Sequence, residues 1–399
     1  MQDIDARSKR APALRRVLTF WPVVLYGLAV IVGAGIYVAI GAVVGRAGDA
    51  APFSFLLAGL SAGVTGLCYA ELAARFPEAS GGVAYIRHGF GSDRLAQLAG
   101  VAITISVAIS AASIAGGAVH YLVVLLPLPI PLLISIVVVG FTAVSVLGVR
   151  ESVGAAAAMG IVEIAGLLAA TVAGFLQAPN LDLTSMWPAD AAAGRGVFAG
   201  AFIAFFAFTG FESLANLAEE VKDPMRTVPR GIMAAVAASL ILYIAVASAA
   251  VLGDSAADSP LLGLFTGKSA TAFAAIGTIA VANGVMVQII MLARLFYGMA
   301  RRGQLPSGLA RIDPTTRTPV RATILAGIIV LAAALLVPFE RLLVLTNALT
   351  LVVFLLVALA LWNVQRRQRP VAGQFAAPRW VPPCAAALSL ILLMSEFLI

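Results

Sequence analysis

Charge is scarce in this chain. Only 11% of its 399 residues are Asp, Glu, Lys or Arg, 61% are hydrophobic, and the mean hydropathy is +1.01. No soluble globular class has that balance. Histidine and cysteine are scarcer still. With only His88 and His120, and no cysteine pair at ligand spacing, nothing points to a transition-metal site, and no cofactor is indicated. Cys68 and Cys384 lie within or at the edge of apolar runs and read as small buried hydrophobes, not as a disulfide. No Ser/His set and no pair of catalytic carboxylates sits mid-run, which argues against an intramembrane enzyme. The net charge of +7 would suggest nucleic acid in a soluble protein. Here the charges occupy short gaps between apolar runs, so the partner they point to is a membrane.

Those runs predict eleven membrane spans, near 23 to 45, 52 to 74, 97 to 125, 130 to 149, 154 to 176, 197 to 217, 230 to 252, 270 to 298, 321 to 338, 341 to 362 and 381 to 398. Each is close to the length of about 20 residues that crosses a bilayer. The basic start (Arg7, Lys9, Arg10, Arg15, Arg16) leads into a full-length span, unlike a cleavable signal peptide. With the N-terminus inside, 22 of the 26 Lys and Arg fall in cytoplasmic segments, leaving Arg46, Arg195, Lys268 and Arg341 outside. That bias sets a cytoplasmic N-terminus in an inner or plasma membrane.

Two spans carry a defect. Gly33-Ala34-Gly35 interrupts the first, and Phe208-Thr209-Gly210 interrupts the sixth. Each glycine costs a helix roughly 1 kcal/mol against alanine, and a broken helix is tolerated in hydrocarbon only where it packs on protein or lines a cavity. Spans one to five and six to ten form two blocks of odd number, so the second inserts upside down relative to the first. This predicts an all-α integral membrane protein of the 5+5 inverted-repeat transporter type, with helices 1 and 6 broken. The organisation is a basic segment (1–22), a first five-helix repeat (23–176), a second, inverted repeat (197–362), and a cytoplasmic loop with one peripheral helix (363–399).

Several motifs carry a likeness. Gly33-Ala34-Gly35-Ile36-Tyr37 with Gly41, then Tyr69-Ala70-Glu71-Leu72 through Arg75, Pro77, Gly81-Gly82 and Tyr85, resemble the amino acid-polyamine-organocation (APC) family of permeases. So do Phe205 to Glu212, the loop Ala218-Glu219-Glu220-Val221-Lys222-Asp223-Pro224, and Arg294 to Arg301 with Gly303-Gln304-Leu305-Pro306. The resemblance implies a secondary transporter of amino acids working by alternating access, proton-coupled or exchanging. Polyamine or organic-cation transport on the same fold, or a membrane amino acid sensor that moves nothing, are the rival readings. Members usually have twelve spans, and eleven are found here. This leaves oligomeric packing open.

A free amino acid brings a carboxylate and an ammonium into the membrane. The amides of Ala34, Gly35 and Ile36, at the start of a half-helix, are candidate carboxylate donors, with Gly33 allowing close approach. The resemblance implies that the carbonyls of Ile31, Phe206 and Thr209 meet the ammonium. It also implies that Phe206 lids the substrate, beside Ala207 and Gly210. The alternative is that the glycines only let helices pack closely. Gln288 matches the family's side-chain pocket. Glu212 matches a gating position, or else partners open backbone amides. Glu163 stands near a place where proton-coupled relatives carry a lysine. An acid there can exchange a proton, hold a cation, or simply pair with a neighbouring helix. The other span-borne polar residues, among them Asn283, Ser106, Ser110, Thr350 and Asn347, read as helix-helix contacts.

Overall fold

The computed structural model describes residues 17–78, 81–147, 153–178, 183–218, 220–253, 259–371 and 373–398. The basic residues Arg7 to Arg16 and Arg150, and the acidic Glu219, lie outside them. The described residues are helical apart from loops and one isolated bridge between Leu18 and Val221. Each predicted span has a helix at its place: α1 Phe20–Ala47, α2 Ala51–Arg75, α3 Asp93–Leu125, α4 Ile130–Val146, α5 Val153–Gln177, α6 Ala191–Phe208, α7 Pro224–Leu252, α8 Gly267–Arg301, α9 Val320–Leu336, α10 Phe339–Arg367 and α11 Val381–Leu398. Among the described residues seven stretches are long and apolar enough to cross a membrane. The first of them, Phe20–Arg75, holds both α1 and α2, and α4, α9 and α11 are shorter apolar helices.

The reason for helix throughout is the solvent. In hydrocarbon a chain must pair its own backbone groups, and a helix does so locally. Side chains then divide by neighbour. Leu176 and Leu336 are 81% exposed on the outer surface, where acyl chains take the place of water, while alanines, glycines and aromatics fill the helix-helix seams.

The packing repeats itself with a shift of five helices. α1 packs on α6, α2 on α7, α3 on α8 and α4 on α9, while α5 touches α1, α7 and α8 as α10 touches α6, α2 and α3. Lengths follow the same rule: α4 and α9 have 17 residues each, and α3 and α8 are the two longest, at 33 and 35. This pattern of contacts is the one that two inverted blocks of five helices produce, with the broken helices α1 and α6 packed together.

The eleventh helix lies outside that repeat and is held by a buried acid. Glu71, on α2, accepts from Arg75 (2.6 Å), from Gln365 Nε2 (2.7 Å) and from the backbone N–H of Ala377 (2.9 Å), while Gln374 Nε2 donates to the Ala74 carbonyl (2.8 Å). The loop into α11 is thereby pinned to the end of α2. At the other end Arg46 pairs with Glu396 (3.2 Å). Removing one member of a buried ion pair strands the other, at about 3–5 kcal/mol. Glu71→Ala is expected to lower the thermal midpoint of the detergent-purified protein by many degrees, since Arg75 is only 4% exposed. An unchanged midpoint would remove Glu71 from this role.

Candidate functional site

The two breaks differ in form. α1 leaves helical geometry at Gly33 (φ −23°, ψ −136°) and resumes at once. α6 stops at Phe208; Thr209 is extended (ψ 143°), Gly210 takes φ +122°, and a short helix, Glu212–Asn216, follows. Only glycine adopts that φ without strain. A Cβ there would also stand 2.9 Å from Val30 Cγ1 and 3.1 Å from the Val30 carbonyl, so the α6 break touches the backbone of α1.

Most of the freed backbone groups find partners nearby. The Thr209 N–H (3.2 Å) and hydroxyl (2.7 Å) both donate to the Phe206 carbonyl. The Gly210 N–H donates to Glu212 Oε2 at 2.8 Å. The Tyr243 hydroxyl, from α7, lies 2.8 Å from the Ile31 carbonyl and 3.0 Å from that of Ala207, bridging the two broken helices. Two of the carbonyls assigned to an ammonium are therefore already engaged, each with a lone pair left to share.

Between the breaks lies a cavity of about 150 Å³. Ile31, Gly33, Ala34, Gly35, Phe206, Thr209, Gly210, Gln288 and Glu212 line it. Ile36 and Ala207 are buried and do not. A Cβ on Gly35 would stand 2.8 Å from the Ala207 Cα, so Gly35 acts as a packing glycine between α1 and α6 as well as a lining residue. Gly33 has more room, its nearest atom being Glu163 Oε2 at 3.8 Å. Glu163 is buried beside the cavity without lining it.

Phe206 is the one member of its cluster at the cavity. Phe205, Phe208 and Phe211 are wholly buried, packing on Phe354 or Tyr243 at 5.0–5.8 Å between ring centres. The polar residues read as helix contacts do make such contacts. Gln288 Nε2 donates to Ser110 Oγ (3.0 Å), Ser106 and Thr350 share a hydrogen bond (2.9 Å), and Asn283 Nδ2 donates to Glu163 Oε1 (3.1 Å). They also line the cavity. Tyr26, Gly284 and Thr346 join them unforeseen. Of these Gly284 left a trace in the sequence, one position after Asn283 in the middle of a span; a Cβ there would lie 2.6 Å from the Ala34 Cβ.

A second cavity, about 440 Å³, shares Ser106, Val107, Glu212, Met291 and Thr350 with the first and extends to Arg87, Arg294, Arg302 and Gln304. Tyr37, Tyr121 and Phe273, which line neither cavity, pack ring on ring at 5.8–6.3 Å. The Tyr121 ring fills the notch left by Gly277, and the Tyr37 hydroxyl the one left by Gly166. The central cavity adjoins a larger one that reaches Arg87, Arg294 and Arg302.

The family model for amino acid permeases matches residues 18–399. The cationic amino acid transporter 9, chloroplastic, of Arabidopsis thaliana is 32% identical over 77% of this chain, which spans 59% of that protein's length. Two proteins of Bacillus subtilis, a methylthioribose transporter (29%) and the branched-chain amino acid permease BcaP (28%), align over 95% of this chain and 87% of their own. Among solved structures, a manganese transporter of Eremococcus coleocola superposes on 98% of this chain and 90% of its own with a TM-score of 0.60, at 14% identity, a likeness of fold. These relatives are membrane transporters, not enzymes.

The glycine geometry separates two substitutions on one helix. Gly35→Ala places a methyl group against the Ala207 backbone and is expected to destabilise by about 1–3 kcal/mol. Gly45→Ala meets nothing within 4 Å and is expected to be neutral or slightly stabilising. Thermal melts of the two variants side by side check this, and equal midpoints would contradict it.

Proposed function

Because the chain belongs to the amino acid permease family, we propose that this integral membrane protein is a secondary transporter that carries an amino acid by alternating access. The observation that supports this best is the cavity between the two helix breaks, which shares Glu212, Met291 and Thr350 with a larger cavity reaching Arg87, Arg294 and Arg302. The larger cavity is lined by arginines of the segments where Lys and Arg collect, which supports an inward-facing reading with the N-terminus in the cytoplasm of an inner or plasma membrane.

The relatives' names differ in cargo: cationic amino acids, methylthioribose and branched-chain amino acids. The cavity of this chain favours a neutral amino acid. Its walls include Ala34, Ile114, Phe206, Val287 and Met291, and its one carboxylate, Glu212, already accepts from the Gly210 N–H. The half-helix after Gly33 offers amides and a positive dipole end to the substrate carboxylate. The carbonyls of Ile31, Phe206 and Thr209 offer acceptors to its ammonium, and Phe206 covers the apolar part. Glu212 serves the inner gate, standing where the two cavities meet. Glu163 carries a coupling proton.

Uptake into liposomes by the purified protein, with imposed proton and sodium gradients applied separately, tests the proposal. Alanine or leucine is expected to accumulate in response to a proton gradient without sodium, and arginine and putrescine to be poor competitors. A strict sodium requirement would overturn the coupling, preference for putrescine would move the reading to organic cations, and binding without transport would make the protein a sensor.

A further inference from the structure

Glu163 (α5) and Asn283 (α8) meet across the core, and the bond between them is half made. Asn283 Nδ2 donates to Glu163 Oε1 at 3.1 Å. The other oxygen of each group, Glu163 Oε2 and Asn283 Oδ1, is buried and has no hydrogen-bond partner. With the acid ionised both are acceptors only, and two buried acceptors without a donor are costly in a medium that lacks water.

The neighbours supply no remedy. α5 packs on α1, α7 and α8, and the titratable groups these bring toward Glu163 are Tyr37 and Tyr243. The Tyr37 hydroxyl donates to the main-chain carbonyl of Glu163 (2.8 Å), and that of Tyr243 lies at the Ile31 and Ala207 carbonyls. Among the described residues no Arg, Lys or His lies within ion-pair distance of Glu163. An ionised Glu163 would be an unpaired charge inside the protein core of a membrane span.

We propose that Glu163 and Asn283 form a carboxylic acid-amide pair that shares one proton. The proton on Oε2 donates to Asn283 Oδ1, while Nδ2 donates to Oε1, closing a two-bond ring. A single proton satisfies both orphaned oxygens, and Asn283 becomes the positioning residue that holds it. The inference rests on the reading of Glu163 as the coupling acid and names its partner. Oε2 lies 3.8 Å from where a Cβ on Gly33 would stand, and Asn283 lines the central cavity. The proton therefore sits against the break of α1, next to the substrate. When it leaves for the water of the cavity, Oε2 and Oδ1 are left facing each other as two acceptors, which drives α5 and α8 apart.

Infrared spectroscopy of the full chain in lipid nanodiscs, with thermal melts, tests this. At pH 7 a protonated-carboxyl C=O band is expected, unaffected by sodium and lost in Glu163→Gln. In Asn283→Leu the band should move to higher wavenumber as both hydrogen bonds vanish. Glu163→Gln should keep the wild-type thermal midpoint, because glutamine donates from Nε2 to Oδ1 and rebuilds the ring; this readout stands even if Asn283→Leu fails to fold. A band absent at pH 7, unmoved by Asn283→Leu or abolished by sodium, or a Glu163→Gln midpoint well below wild type, would overturn the pair. Proton-driven transport unchanged in Glu163→Gln, with the band behaving as stated, would leave the pair standing and remove Glu163 from coupling.

Discussion

Everything in this structure answers to one constraint: a peptide group freed from its helix inside a membrane must find a partner within the protein. An unpaired one costs several kcal/mol in hydrocarbon. Interrupting α1 at Gly33 and α6 at Thr209-Gly210 therefore forces a local solution, and the surrounding residues provide it. Thr209 turns back on Phe206, Glu212 takes the Gly210 N–H, and Tyr243 reaches two carbonyls on different helices. The same groups outline a cavity, because backbone released from a helix is also backbone available to a ligand. The defect and the site are one feature.

The large-scale plan was legible in the sequence. Apolar runs and the Lys/Arg bias predicted eleven spans, and the pairing of two defects five spans apart predicted which helices meet. What local sequence does not encode is partnership at a distance. Glu163 and Asn283 stand on different helices; the sequence reads the first as an acid that exchanges a proton, holds a cation or pairs with a neighbouring helix and the second as a helix contact, and it names neither as the other's partner. Glu71 was read as part of a motif on α2, yet two of its partners are distant in sequence, Gln365 in the last turn of α10 and Ala377 in the loop that follows, and neither gives a sign of it. The end of α6 was also blurred. The predicted span continued to 217, whereas the helix stops at Phe208 and a short one starts at Glu212. The interruption itself falls at Phe208-Thr209-Gly210, where the sequence placed it, through the extended Thr209 and the positive φ of Gly210; the helix that restarts at Glu212 is what the sequence left unmarked.

Glycine illustrates the same division. A small residue in a span either frees the backbone or lets a neighbour in, and composition is silent on which. The structure separates them. Gly210 is demanded by its φ, Gly35 by the Ala207 backbone, and Gly277 and Gly166 by aromatic groups that fill the notches they leave. Phe206 shows the converse: four phenylalanines of similar appearance divide into three that build the core and one that faces the cavity.

The near-contact of Gly35 with the Ala207 backbone has a mechanical consequence. Where two helices touch through main chain, no compliant side chain lies between them to absorb sliding. α1 and α6, joined also through the Tyr243 hydroxyl, thus meet at a seam that resists sliding. Any conversion between open faces must then be taken up elsewhere, at seams cushioned by flexible groups. The one lined by Met291, Met299 and Gln288, where α8 faces α3 along both cavities, is such a seam. In this molecule the rigid part is where the two broken helices meet, and the soft part is the wall beside it.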